Sequence, residues 1–270
     1  MRRLGLWAAG ILIALASLGP FLWIALTSLK SPDQIDDSPP GLRPEFDLTF
    51  YHVVFSKHDF LQYAANSFVV ALATTVLSIA LGALAAYPLA RIEFRFRRTV
   101  LALVLAASMF PQIALVGGVY RLLFDVGLVN TLPGIVLPYT GLSLPLSIWI
   151  LTSFFREIPV EIEEAARVDG AGHLSTLVRV FLPVAAPAVF TAAILVFIFA
   201  WNEFFFALLI LTDPAVQTLP VGIAKFPGQY QVPWGELAAA AVAATLPLIL
   251  VVLILQRRIV RGLTAGAVKG

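Results

Sequence analysis

Residues 68–90 read FVVALATTVLSIALGALAAYPLA, and none of them is Asp, Glu, Lys, Arg or His. A helix rises 1.5 Å per residue and the hydrocarbon core of a bilayer is about 30 Å thick, so a run of this length spans it. Working outward from it, five further charge-free runs have comparable length: 4–29, 99–120, 134–155, 180–202 and 237–256. The expectation is an all-α integral membrane protein with six transmembrane helices.

Composition agrees. Sixty per cent of the 270 residues are hydrophobic, 13% are charged and the mean hydropathy is +0.92. A soluble domain carries about 25% charged residues, so this chain has too few polar groups to cover a water-facing surface. Cysteine is absent, which excludes disulfides, thiolate metal sites and cysteine nucleophiles. The net charge of +2 and the pI near 9.0 come from basic residues flanking the apolar runs, where they act as topology signals. With both termini inside, segments 1–3, 91–98, 156–179 and 257–270 hold 13 of the 18 Lys and Arg residues. The basic excess favours that orientation.

Arg2 and Arg3 before the first run also fit the start of a signal peptide. Signal cores are about 7–15 residues long, whereas this run continues for 26 and ends without an A-x-A site. It reads as a retained first span. Pro88, Pro111, Pro138, Pro145, Pro187 and Pro247 lie in or near the spans and predict bends. Small residues such as Ala85, Ala86, Ala185 and Ala186 allow close helix packing.

No Asp, Glu, Lys, Arg or His falls within any predicted span. Ion-coupled carriers and proton pumps place ionisable groups at mid-membrane, so ion coupling within this chain is disfavoured. There is no G-x-x-x-x-G-K-[ST] phosphate loop, no H-E-x-x-H and no G-x-S-x-G. His52, His58 and His173 have no metal-site spacing. No catalytic residue or metal site is expected.

Between the fourth and fifth runs the chain reads Arg156-Glu157-Ile158-Pro159-Val160-Glu161-Ile162-Glu163-Glu164-Ala165-Ala166-Arg167-Val168-Asp169-Gly170, and Val180-Phe181-Leu182-Pro183 follows. Pro159 suits a helix first turn, and the glutamates suit the positive end of the helix dipole. Ile162, Ala165, Ala166 and Val168 give an apolar face, and Gly170 marks a stop. Leu174, Leu177 and Val178 mark a second short helix. An interfacial helix–turn–helix on the cytoplasmic side follows, with small residues that a partner can approach closely.

This pattern resembles the EAA loop of ABC importer permeases: Glu-Ala-Ala, three residues, Gly, nine residues, Ile, one residue, Leu-Pro. The match covers Glu164, Ala165, Ala166, Gly170, Leu182 and Pro183, with Val180 in place of Ile. The resemblance implies a type I ABC importer permease fold whose cytoplasmic loop docks into a groove on an ATPase subunit. Glu164 would make a polar contact there, Ala165 and Ala166 would permit close packing, Gly170 would turn the chain, and Asp169 would belong to the same set.

The likeness extends further. Gln256 to Gly270, the stretch Phe199-Ala200-Trp201-Asn202-Glu203-Phe204, the stretch Thr218 to Gly222, and Pro88-Leu89-Ala90-Arg91 resemble the carbohydrate (maltose-type, MalG-like) permeases. That implies three parts: 1–60, a first helix and extracytoplasmic segment; 61–256, the permease core with coupling loop 156–183; and 257–270, a cytoplasmic tail. The tail, through Gly266, Val268 and Lys269, would touch the ATPase, unless it is a frayed terminus. Trp201, Asn202 and Glu203 are candidate contacts for a sugar, although aromatic residues also gather at membrane interfaces. Segment 213–236 is either a docking surface for a solute-binding protein or a packed loop.

The implied function is a non-catalytic permease subunit that forms half of a translocation pathway for a di- or oligosaccharide. The chain itself would bind no cofactor, with ATP and Mg held by two partner ATPase subunits. A second homologous permease, an extracytoplasmic binding protein, the sugar and membrane lipid complete the partners, and no nucleic acid is expected. The location implied is a bacterial inner membrane, multi-pass. An ABC importer for another solute, such as glycerol phosphate or a polyamine, and a stand-alone secondary carrier are the alternatives.

Overall fold

The computed structural model describes residues 2–35, 41, 43–226 and 232–265. Its elements in chain order are α1 (Arg2–Thr27), α2 (Pro32–Ile35), α3 (Thr49–Lys57), α4 (Phe60–Arg91), α5 (Arg97–Ser108), α6 (Gln112–Asp125) and α7 (Leu132–Glu157). They continue with α8 (Val160–Val168), α9 (His173–Thr176), a π-helical turn (Leu177–Phe181), α10 (Leu182–Val184), α11 (Ala186–Asn202), α12 (Phe205–Ile210), a 3-10 turn (Pro214–Val216), α13 (Leu219–Ala224) and α14 (Trp234–Ala265). Among the described residues there is no strand.

Four helices, α1, α4, α7 and α14, are each long and apolar enough to cross a membrane. The third and fifth predicted spans are different. The run 99–120 is two helices, α5 and α6, bent by 92°. Met109 and Phe110 close the end of α5 with bonds to Ala106 and Ala107. Pro111 then has no N–H with which to continue the ladder, and at φ −60°, ψ 123° it becomes the N-cap of α6. The run 180–202 begins in the middle of a bent pair, with 84° between the helical segment 173–184 and α11. Pro187 sits in the first turn of α11 rather than kinking a helix interior. Six spans are reached with each bent pair taken as one.

The chain forms two compact units, residues 1–64 with 219–248, and residues 65–218 with 249–270. In the first unit, Ser28 and Tyr51 hydroxyls meet at 2.9 Å, and Asp47 accepts from the Thr49 hydroxyl and amide at the start of α3. The Thr49 hydroxyl holds the Asp47 carboxyl below the ordinary carboxylate range. His58 pairs with Glu236 at 2.7 Å and stacks on Phe226 at 3.9 Å.

The second unit is organised by α4 and α7. Ser78 and Ser143 share a hydrogen bond of 3.1 Å across them. One turn on, a Cβ at Gly82 would stand 2.9 Å from the Ser147 Cβ, so a glycine is what lets the backbones approach. Thr75, Thr140, Ser143 and Ser147 also bond carbonyls of their own helices, which satisfies them where water is absent. At one end, Ala83, Ala86, Tyr87 and Ala90 of α4 meet Leu151, Phe155 and Ile158. Leu177, Phe181 and Ala185 complete that cluster. Phe181 takes Phe155 edge-on at 5.5 Å and Tyr87 edge-on at 5.1 Å, a favourable aromatic geometry. Lipid is as apolar as leucine, so this packing rests on dispersion and shape rather than on release of water.

Candidate functional site

The segment between α7 and α11 holds the EAA pattern, and its local geometry follows from the sequence. Pro159, extended at ψ 140°, is the N-cap of α8 rather than part of its first turn. Glu161 and Glu163 lie in that first turn, where the helix dipole favours anions. The helix ends in a Schellman motif: Gly170 N–H bonds the Arg167 carbonyl at 3.0 Å and Ala171 N–H bonds the Ala166 carbonyl at 2.9 Å. Gly170 has φ +80°, the left-handed conformation glycine adopts without strain.

The faces of α8 divide differently from the expectation. Ile162, Glu163 and Ala166 turn inward, and Ile162 packs against the core cluster. Glu161, Glu164, Ala165, Asp169 and Gly170 are exposed, and so is Val168, 88% accessible. Val168 therefore leaves the inward apolar face for the outward one. Ala166, expected to meet a partner, is buried within this chain. The next limb repeats the division: Leu177 and Phe181 are core, while Leu174 and Val178 are exposed. Leu182 packs against the core cluster, and Pro183 is exposed.

Glu163, which the sequence placed only at the positive end of the helix dipole, is the most constrained residue of the segment. It is only 4% accessible. Its carboxylate accepts from Tyr87 Oη at 3.1 Å and from Arg167 Nη2 at 2.7 Å, and Arg91 Nε lies 3.6 Å away. Arg91 also donates to the Ile158 carbonyl, and its guanidinium lies 4.9 Å over the Phe181 ring. Arg156 Nη2 in turn donates to the Leu89 carbonyl at 3.3 Å. The two arginines thus cross, each binding a carbonyl at the end of the other's helix, where carbonyls lack intrahelical partners.

At the far end of α11, the expected sugar contacts are mostly occupied. Trp201 is 4% accessible and stacks on Phe197. Glu203 is 7% accessible and accepts from Tyr139 Oη and from the amides of Phe206 and Ala207, so it anchors the start of α12. Asn202 is exposed and bonds its own helix at Ile198. Sequence reading missed a cavity of about 410 Å³ beside the α5–α6 bend. Its walls include Pro138, Gly141 and Pro145 of α7 and the rings of Phe110 and Phe206, with Ser108 and Gln112 as polar groups. The signal was the proline and glycine spacing within 138–145, which reads as bending and packing until the angle at Pro111 is known.

Of segment 213–236, the part to Thr218 is a short turn held by hydrogen bonds, with residues 213–215 exposed and Gln217 and Thr218 buried. Asn130 Oδ1 accepts from the amides of Thr212 and Asp213, and Asn66 Nδ2 donates to the Ala215 and Gln217 carbonyls. Residues 227–231 and the tail positions Gly266, Val268 and Lys269 lie outside the described residues.

Comparison with known proteins agrees with this architecture. Residues 78–265 match the sequence family described as binding-protein-dependent transport system inner membrane component. The trehalose/maltose transport system permease protein MalG of Thermococcus litoralis is 42% identical, over 100% of this chain and 98% of the relative. The trehalose transport system permease protein SugB of Mycobacterium tuberculosis is 44% identical, over 100% and 99%. A solved bacterial ABC transporter involved in the import of the acidic polysaccharide alginate has a chain that superposes with a TM-score of 0.80 at 26% identity. That superposition covers 95% of this chain and 96% of the other.

Proposed function

Because the chain belongs to the family of binding-protein-dependent transport system inner membrane components, we propose that it is a permease subunit that couples a cytoplasmic ATPase to import of a di- or oligosaccharide. The observation that carries the coupling is the two-faced α8. Its inner face is fixed to α4 through Glu163, and its outer face offers Glu164, Ala165, Val168 and Asp169 to a partner. An exposed valine between two carboxylates suits a groove with an apolar floor and a basic rim. The sugar assignment is supported by the relatives, whose names specify trehalose and maltose.

Two ATPase subunits, a second permease and an extracytoplasmic binding protein complete the proposed assembly, with both termini of this chain cytoplasmic. Half of the sugar pathway runs past Gln112 and Ser108 in the cavity at the α5–α6 bend, where Phe110 and Phe206 offer faces for the C–H side of a sugar ring. The test is uptake into proteoliposomes holding the assembled transporter and its binding protein. ATP-dependent uptake of labelled trehalose or maltose is expected. Uptake of glycerol phosphate in place of any sugar would replace the sugar reading, and uptake without ATP would replace the coupling reading.

A further inference from the structure

We propose that Arg91 and Glu163 form the strut through which α8 moves α4, which makes both of them positioning residues of the transport cycle. This rests on the coupling role proposed for residues 156–183. Glu163 lies on the face of α8 turned away from the exposed Glu164. Of the three groups around its carboxylate, two come from α4 and stand one turn apart: Tyr87 Oη at 3.1 Å and Arg91 Nε at 3.6 Å. The third, Arg167, belongs to α8 itself and is half exposed.

Arg91 Nε is buried and has no hydrogen-bond partner among the described residues, so the Glu163 carboxylate is what balances it. The same guanidinium holds the Ile158 carbonyl between α7 and α8 and covers the Phe181 ring. One side chain at the last turn of α4 therefore touches three parts of the cytoplasmic segment. An apolar neighbour such as Ile162, packed on the cluster that includes the end of α4, can slide at little cost. A buried ion pair cannot, because separation leaves each charge without a partner and without water. A displacement applied to the outer face of α8 is thus transmitted to the end of α4 instead of being absorbed by local repacking. A merely adhesive pair would hold the fold but would not set how much transport each ATP drives.

The test uses the complete transporter in proteoliposomes, with ATP hydrolysis and sugar uptake measured on the same vesicles. For Arg91→Met and for Glu163→Gln, the ATPase is expected to co-purify as with the unaltered chain, while sugar taken up per ATP falls at least tenfold. The double variant is expected to be no worse than the worse single one, since both remove one contact. Uptake per ATP within twofold of the unaltered chain in Arg91→Met, or losses that multiply in the double variant, overturns the proposal. If Arg91→Met fails to assemble, the isosteric Glu163→Gln decides on the same scale. An unaltered chain that carries no ATPase overturns the coupling reading itself, a result distinct from any of these.

Discussion

Two adjacent glutamates show what single residues contribute here. Successive side chains on an α-helix point about 100° apart, so Glu163 and Glu164 cannot share a face. Sequence spacing identified Glu164 as the family's glutamate but had no means of choosing which carboxylate is buried. That choice depends on Tyr87 and Arg91, more than seventy residues earlier. Gly170 was legible, because a glycine just past a short amphipathic helix has one common use. Replacing it with alanine forces a left-handed conformation on a residue with a Cβ, and a loss of about 1–2 kcal/mol is expected. The loss should appear as a lower thermal midpoint in detergent, and an unchanged midpoint would contradict the assigned turn. Glu203→Ala is predicted to cost on the order of 3 kcal/mol, because Tyr139 and two amides of α12 lose a buried acceptor. In assembled protein the apparent KM for sugar should not move. A raised KM at unchanged stability would return Glu203 to the pathway.

At the scale of elements, all six predicted runs are helical, and length with hydropathy sufficed to find them. The internal geometry was less accessible. Pro111 was visible as a bend, but its consequence, two helices at 92° with a cavity at the corner, depends on what packs beside it. The π turn at Leu177–Phe181 has no local sequence signature. It sets the core positions Leu177 and Phe181 four residues apart on the inward side. Gln112→Leu removes one of the two polar side chains lining the cavity. A several-fold rise in KM is expected, with ATPase binding and thermal stability unchanged. An unchanged KM would place the sugar path elsewhere.

For the whole molecule, apolar runs and basic flanks imply a multi-pass membrane protein, and the family match and the superposition with an alginate importer chain support the same reading. Which surfaces meet partners was only half legible, since a face free of this chain's own contacts is visible only once the chain is folded. Val168, exposed between Arg167 and Asp169, is the clearest case. If the outer face of α8 docks an ATPase, Val168→Asp and Glu164→Arg should change whether that ATPase co-purifies with the chain. The ATPase is expected to accompany the unaltered chain in mild detergent and to be lost from both variants, while their thermal midpoints stay within about a degree or two. Variants that retain the ATPase and full ATP-driven uptake would contradict that docking.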